Sequence, residues 1–163
     1  MDVAIVSDSH IPSRATAIPE AFRERIRTAD HVIHAGDFDS EGALADVRAL
    51  APALTAVHGN MDPRVGLPAV ATVDLGGVEF VVTHGTGSRR GYEDRVAATV
   101  REAAETDRFV GVCGHTHEPM DRVQDGVRLL NPGSVTGASP AERTTMMTAA
   151  AADGALEVTV REG

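Results

Sequence analysis

The sequence predicts an α/β fold in which two mixed β-sheets pack as a sandwich flanked by helices. Three observations predict it. The first 60 residues alternate short apolar runs with amphipathic stretches in the order β-α-β-α-β, which favours parallel pairing. Residues 2–7 (DVAIVS) are apolar on both sides of the run, as expected of a strand covered on both faces. Later in the chain the pattern changes to pairs of runs joined by Gly-Gly or Asp-Gly, the signature of antiparallel hairpins.

The elements follow in order. After the strand at 2–7, residues 19–28 open on Pro19 with acidic residues early, which reads as a helix start. Residues 31–35 are a second strand. Residues 40–50 form a helix behind the N-cap residue Ser40. Residues 54–58 are a third strand. Runs 70–75 and 78–83 flank Gly76-Gly77 as a hairpin, 93–105 is a helix, and 109–113 is a strand. Runs 120–124 and 127–130 flank Asp125-Gly126, and runs 144–151 and 155–160 flank Asp153-Gly154. No repeat, charge block or linker divides the chain, so its 163 residues are read as one domain.

Composition bounds the function. The net charge is −9, and all 15 basic residues are arginine. This acidic balance, with no lysine, resembles proteins of salt-loving microbes. It repels phosphate backbones, which makes nucleic acid a poor partner, and aromatic residues at 3% leave little to stack on bases. One cysteine, Cys113, cannot form an internal disulfide, which suits a reducing compartment. No basic-then-apolar leader and no run of about 20 apolar residues is present, so a cytoplasmic, membrane-free protein is expected.

The residues that carry chemistry sit just past the apolar runs. Asp8 and His10 follow the first strand, Gly36-Asp37 the second and Gly59-Asn60 the third. His84 follows the run ending at Thr83, and Gly114-His115-Thr116-His117 follows the run ending at Cys113. Ligands of α/β sheets bind at the carboxyl ends of parallel strands, so these segments can face one pocket. Asp8 and His10 are expected to alternate along extended chain and point the same way, as are His115 and His117. Two aspartates, one asparagine and four histidines are too many ligands for one tetrahedral site and suit two cations sharing a carboxylate. Mixed imidazole and carboxylate donors favour Mn, Fe, Zn, Co or Ni over Ca or Mg. His31 and His34 lie within a strand and read as core or sheet-face residues. His58 and Asp62 read as structural or supporting, Cys113 as a buried thiol, and 131–134 as a turn. Arg89 and Arg90 could bind a phosphate or simply be solvated.

Asp8-Ser9-His10, Gly36-Asp37, His58-Gly59-Asn60-Met61-Asp62, His84, Gly114-His115-Thr116-His117 and Asn131-Pro132-Gly133-Ser134 occur in an order that resembles the calcineurin-like metallophosphoesterases, in particular their small bacterial and archaeal phosphodiesterase branch. The resemblance implies a four-layer αββα fold. It implies that Asp8, His10 and His117 hold one metal, that Asn60, His84 and His115 hold a second, and that Asp37 bridges them, with Mn²⁺ the first choice. The implied activity is hydrolysis of a small phosphate ester, a diester before a monoester, by in-line attack of a hydroxide held between the metals. Asp37 and Asn60 are then the catalytic residues, with Asn60 and Arg89 toward the substrate. Many relatives carry histidine where Met61 and Thr86 stand. A binding module with a vestigial metal site is the competing reading, and a homo-oligomer is compatible with either.

Overall fold

The computed structural model describes residues 1–163. The elements in chain order are β1 (Asp2–Val6), α1 (Glu20–Thr28), β2 (His31–His34), α2 (Glu41–Leu50), β3 (Leu54–Ala56), β4 (Val70–Leu75), β5 (Val78–Thr83), α3 (Tyr92–Ala103), β6 (Phe109–Val112), β7 (Pro119–Gln124), β8 (Val127–Pro132), β9 (Thr145–Ala152) and β10 (Ala155–Glu162). They form two mixed five-stranded sheets, ordered β10-β9-β1-β2-β3 and β4-β5-β6-β8-β7. In the first, β1, β2 and β3 run parallel. In the second, β5, β6 and β8 do.

Side-chain alternation explains the continuous apolar runs. Val3 and Ile5 of β1 and Phe80 and Val82 of β5 face the other sheet and fill the core between the two layers, with Ile33, Val110, Val112, Leu130 and Met147. The intervening Ala4 and Val6 face Phe22 and Ile26 of α1 and Val47 of α2. Val81 faces Val96 and Val100 of α3. Helices therefore cover the outer faces of both sheets, as the sequence predicts. All three hairpins turn where expected, with Gly76, Gly77, Asp125, Gly126, Asp153 and Gly154 at positive φ, the demand of a two-residue type I′ loop.

Element ends differ from expectation by at most two residues, and one shift has a visible cause. The third helix stops at Ala103 rather than 105. The Glu79 carboxylate accepts the backbone N–H groups of Glu105 (2.9 Å) and Thr106 (3.0 Å) and draws the chain out of the helix.

Candidate metal centre

The loops that follow β1, β2, β3, β5 and β6 meet at one end of the sandwich. The local backbone is not extended there. Asp8 (φ 53°), His10 (φ 45°), Asp37 (φ 59°), His115 (φ 74°) and His117 (φ 62°) all occupy the left-handed region. The expectation that Asp8 and His10, and His115 and His117, alternate along extended chain is thus corrected. Left-handed turns, not pleating, aim these side chains inward. Asp and His tolerate that region better than most residues, and a cluster of such conformations marks a site where geometry outweighs local comfort.

Asp8, His10 and His117 form the first cluster, with all three donor atoms within 4.8 Å of one another. His10 Nδ1 donates to Asp39 Oδ1 (2.9 Å), and His117 Nδ1 donates to the Ala138 carbonyl (2.8 Å). Both Nε2 atoms then present lone pairs, 3.2 Å apart. They lie 3.6 and 3.3 Å from Asp8 Oδ1, a buried oxygen with no hydrogen-bond partner. Such a convergence of acceptors requires a cation or a proton among them. The protonation balance shows the same demand. Burial pushes Asp8 up, but the imidazoles of His10, His117 and His84 outweigh it and hold the carboxyl well below the usual range. Burial pushes His117 down, but Asp8 outweighs it and raises the imidazole.

Asp37, His84 and His115 form the second cluster on the same distance measure. His84 Nδ1 donates to the Ala35 carbonyl (2.7 Å), which turns Nε2 toward Asp37 Oδ2 (3.1 Å) and Asp8 Oδ1 (3.9 Å). This Nε2 is buried and off the axis of any hydrogen bond. Burial lowers the His84 pKa, yet Asp37 and Asp8 outweigh it and raise it to about 9. Asp37 Oδ2 also lies 3.6 Å from His10 Nε2, so this carboxylate stands between the clusters. His115 Nε2 donates to the Gly87 carbonyl (2.8 Å), leaving Nδ1 facing Asn60 Oδ1 (3.2 Å). Asn60 is exposed at this point, as is Met61 beside it. The fold therefore brings Asp8, His10, Asp37, Asn60, His84, His115 and His117 together, and the orphaned buried atoms and the donor chemistry fit a pair of divalent cations. Arg89 is exposed and pairs with Glu118 (2.7 Å), and Arg90 is exposed next to it.

Supporting contacts fix these loops. The Asp62 carboxylate accepts the backbone N–H groups of Asp37, Asp39 and Gly59 (2.9, 2.9 and 2.8 Å), which ties the β2 and β3 loops to one side chain. Its role is to hold the Asn60 loop rather than merely to begin a turn, and His58 bonds the Asp62 carbonyl (3.0 Å). Asn131 Nδ2 reaches the Gly114 carbonyl and Thr116 Oγ1, both at 3.0 Å, while Ser134 Oγ donates to the Asp8 carbonyl (2.7 Å). Residues 131–134 thus brace two ligand loops. Asp39, which orients His10, was not singled out from the sequence. Its position two residues after Asp37 is the signal that could have found it.

His34 is fully buried, bonded by Gly36 N–H (3.1 Å) and beside Ser9 Oγ (3.2 Å). Burial pushes its pKa down to about 4 from 6.5. Between those values the unfolded chain binds more protons than the folded one. The stability held above pH 6.5 is therefore lost as pH falls toward 4, by up to about 3 kcal/mol. Denaturant titrations of wild type and His34→Gln across that window should show a shallower acid loss in the variant. Equal slopes would show that His34 does not carry this pH dependence.

Comparison with known proteins agrees with the fold. The Calcineurin-like phosphoesterase superfamily domain matches residues 1–154. A "probable metallophosphoesterase" of Methanothermobacter thermautotrophicus is 35% identical over 138 residues, 83% of this chain and 78% of that protein. One from Methanocaldococcus jannaschii is 33% identical over 83% of this chain and 69% of its own length. The crystal structure of Entamoeba histolytica Vps29 complexed with zinc superposes with a TM-score of 0.76 at 26% identity, over 99% of both chains. The chain belongs to the calcineurin-like phosphoesterase superfamily.

Proposed function

We propose that this chain is a metal-dependent phosphodiesterase that hydrolyses a small soluble phosphate ester with two divalent cations. In this reading Asp8, His10 and His117 hold one ion, and Asn60, His84 and His115 hold the other. Asp37 is shared between them. The observation that carries it is the pair of buried orphan atoms, Asp8 Oδ1 and His84 Nε2, facing imidazole lone pairs and the Asp37 carboxylate. Manganese is the first choice of ion. Residues 1–163 act as one catalytic unit, in the cytoplasm of an organism adapted to salt.

A divalent pair bound there supplies charge neutralisation on a phosphoryl group and makes hydroxide available near neutral pH. The chain's own residues set its position. Asp39 and the Ala138 carbonyl lock His10 and His117 with Nε2 inward, and the Ala35 carbonyl does the same for His84. The exposed Asn60 amide stands where it can touch a substrate phosphate oxygen, and Arg89 lies farther along the rim. Met61 supplies no proton to a leaving oxygen. Esters with good leaving groups should therefore be favoured, which is the sense in which a diester with an aryl arm suits this pocket.

The test is substitution of the missing donor. Met61 is 45% exposed, so Met61→His can be built without disturbing the core. It should raise turnover of an alkyl phosphodiester by about 10²-fold and leave a bis-aryl phosphate within a few-fold. No gain on the alkyl ester would mean that proton supply is not what limits this site. A second reading, a binding module with a non-catalytic metal site, is favoured by Met61 and by the likeness to Vps29 over nearly the whole chain. Folded, metal-loaded protein without turnover on any phosphate ester would select it.

A further inference from the structure

The β10 strand is the longest of the exposed sheet edges. Of the four edge strands, β3 has three residues, β4 carries Asp74 and follows Pro68, and β7 opens on Pro119 and carries Asp121 and Arg122. Short length, proline and charge are the usual means of blunting an edge. β10 has eight residues in unbroken register with β9, with no proline and no bulge, and its charged residues, Glu157, Arg161 and Glu162, are of both signs, so they can pair with a second copy rather than repel it. Val160 is 43% exposed, and Leu156 and Val158 are only partly covered by the core between the sheets.

Hydrogen-bond parity shows which backbone groups are free. Gly163 N–H donates to the Thr144 carbonyl, continuing the β9–β10 ladder, so alternate residues back from Gly163 spend their amides on β9. The N–H and C=O groups of Leu156, Val158, Val160 and Glu162 point away from it. We infer that β10 pairs antiparallel with β10 of a second copy of this chain, about a two-fold axis at Thr159.

This register satisfies parity and charge at once. Val158 meets Val160 of the other copy in hydrogen-bonded pairs. Glu157 faces Arg161 twice, in the close non-hydrogen-bonded positions where side chains lie nearest. Moving the axis to residue 157 or 161 would set glutamate against glutamate or arginine against arginine. Moving it to 158 or 160 removes the Glu157–Arg161 pairing. An eight-residue edge is a small contact, so the dimer belongs to the weak, concentration-dependent class. The inference does not rest on the metal site or its chemistry.

The test uses a cross-link on the axis. Thr159 faces its own copy with Cα atoms about 4.5 Å apart, within disulfide range, and the native Cys113 is buried. Mild oxidation of Thr159→Cys should give a disulfide dimer, while Ala155→Cys, off the axis, should stay monomeric. Arg161→Glu should raise the dimer dissociation constant about tenfold in sedimentation at the lowest salt that keeps the chain folded. Glu157→Arg combined with Arg161→Glu should restore it. A wild-type chain monomeric up to millimolar concentration, or equal cross-linking at positions 155 and 159, would overturn the proposal.

Discussion

Asp37→Ala should abolish metal pairing and hydrolysis together. Asp37 Oδ2 lies 3.1 Å from His84 Nε2 and 3.6 Å from His10 Nε2, and Asp8, the other carboxylate that faces both, already lies closest to His117 (3.3 Å), so the loss of Asp37 is not made good. Its other oxygen accepts the Met61 backbone N–H (2.9 Å), which also anchors the loop carrying Asn60. The expected result is a fall in kcat/KM on the order of 10³-fold or more, with bound Mn²⁺ dropping from two per chain to one or none. Metal content by elemental analysis and the rate should fall in the same preparation, while far-ultraviolet circular dichroism stays native. Full activity in this variant would contradict the shared role assigned to Asp37.

Gly59→Ala should be nearly as damaging through packing alone. A Cβ at this position would overlap both the backbone nitrogen and the carboxylate of Asp37. The two loops cannot part freely, because Asp62 holds the N–H groups of Gly59, Asp37 and Asp39 with one carboxylate. The overlap should cost about 1–3 kcal/mol in denaturant unfolding, and displacement of Asp37 should weaken Mn²⁺ binding by about 10–100-fold. Gly42→Ala is the control. It lies in α2 with nothing within 4 Å, so it should raise stability by up to about 1 kcal/mol and leave metal binding alone. A Gly59→Ala protein as stable and as tightly loaded as wild type would show that the β2 and β3 loops are more yielding than their hydrogen bonds imply.

The fold was largely legible in the sequence because its signals are local. Asp125-Gly126 and Asp153-Gly154 specify two-residue turns by backbone conformation alone, and residues 2–7 announce burial on both faces by composition. The gathering of the site was legible for a different reason. Parallel strands present their carboxyl ends on one side, so the sequence alone places Asp8, His10, Asp37, Asn60, His84, His115 and His117 near one another. The left-handed turns at Asp8, His10, His115 and His117 were not legible, because no residue type demands them. They are imposed by distant contacts such as Ser134 on the Asp8 carbonyl and Asn131 on the Gly114 carbonyl. The same limit hid Asp39, whose contact with His10 spans two loops, and the pairing of Arg89 with Glu118, which joins segments 29 residues apart. Solitary polar residues reveal their partners only when the chain is folded.

If this chain is a metal-dependent phosphodiesterase, its rate on a phosphodiester must depend on added divalent metal. Chelator-treated wild-type protein, in salt sufficient to keep it folded, is given a bis-aryl phosphate or an aryl monophosphate, each with and without added Mn²⁺. The expected result is no turnover without metal, turnover on addition of Mn²⁺, and a faster rate on the diester. Folded protein that binds Mn²⁺ yet turns over neither ester, or that cleaves the diester equally well without metal, would contradict it.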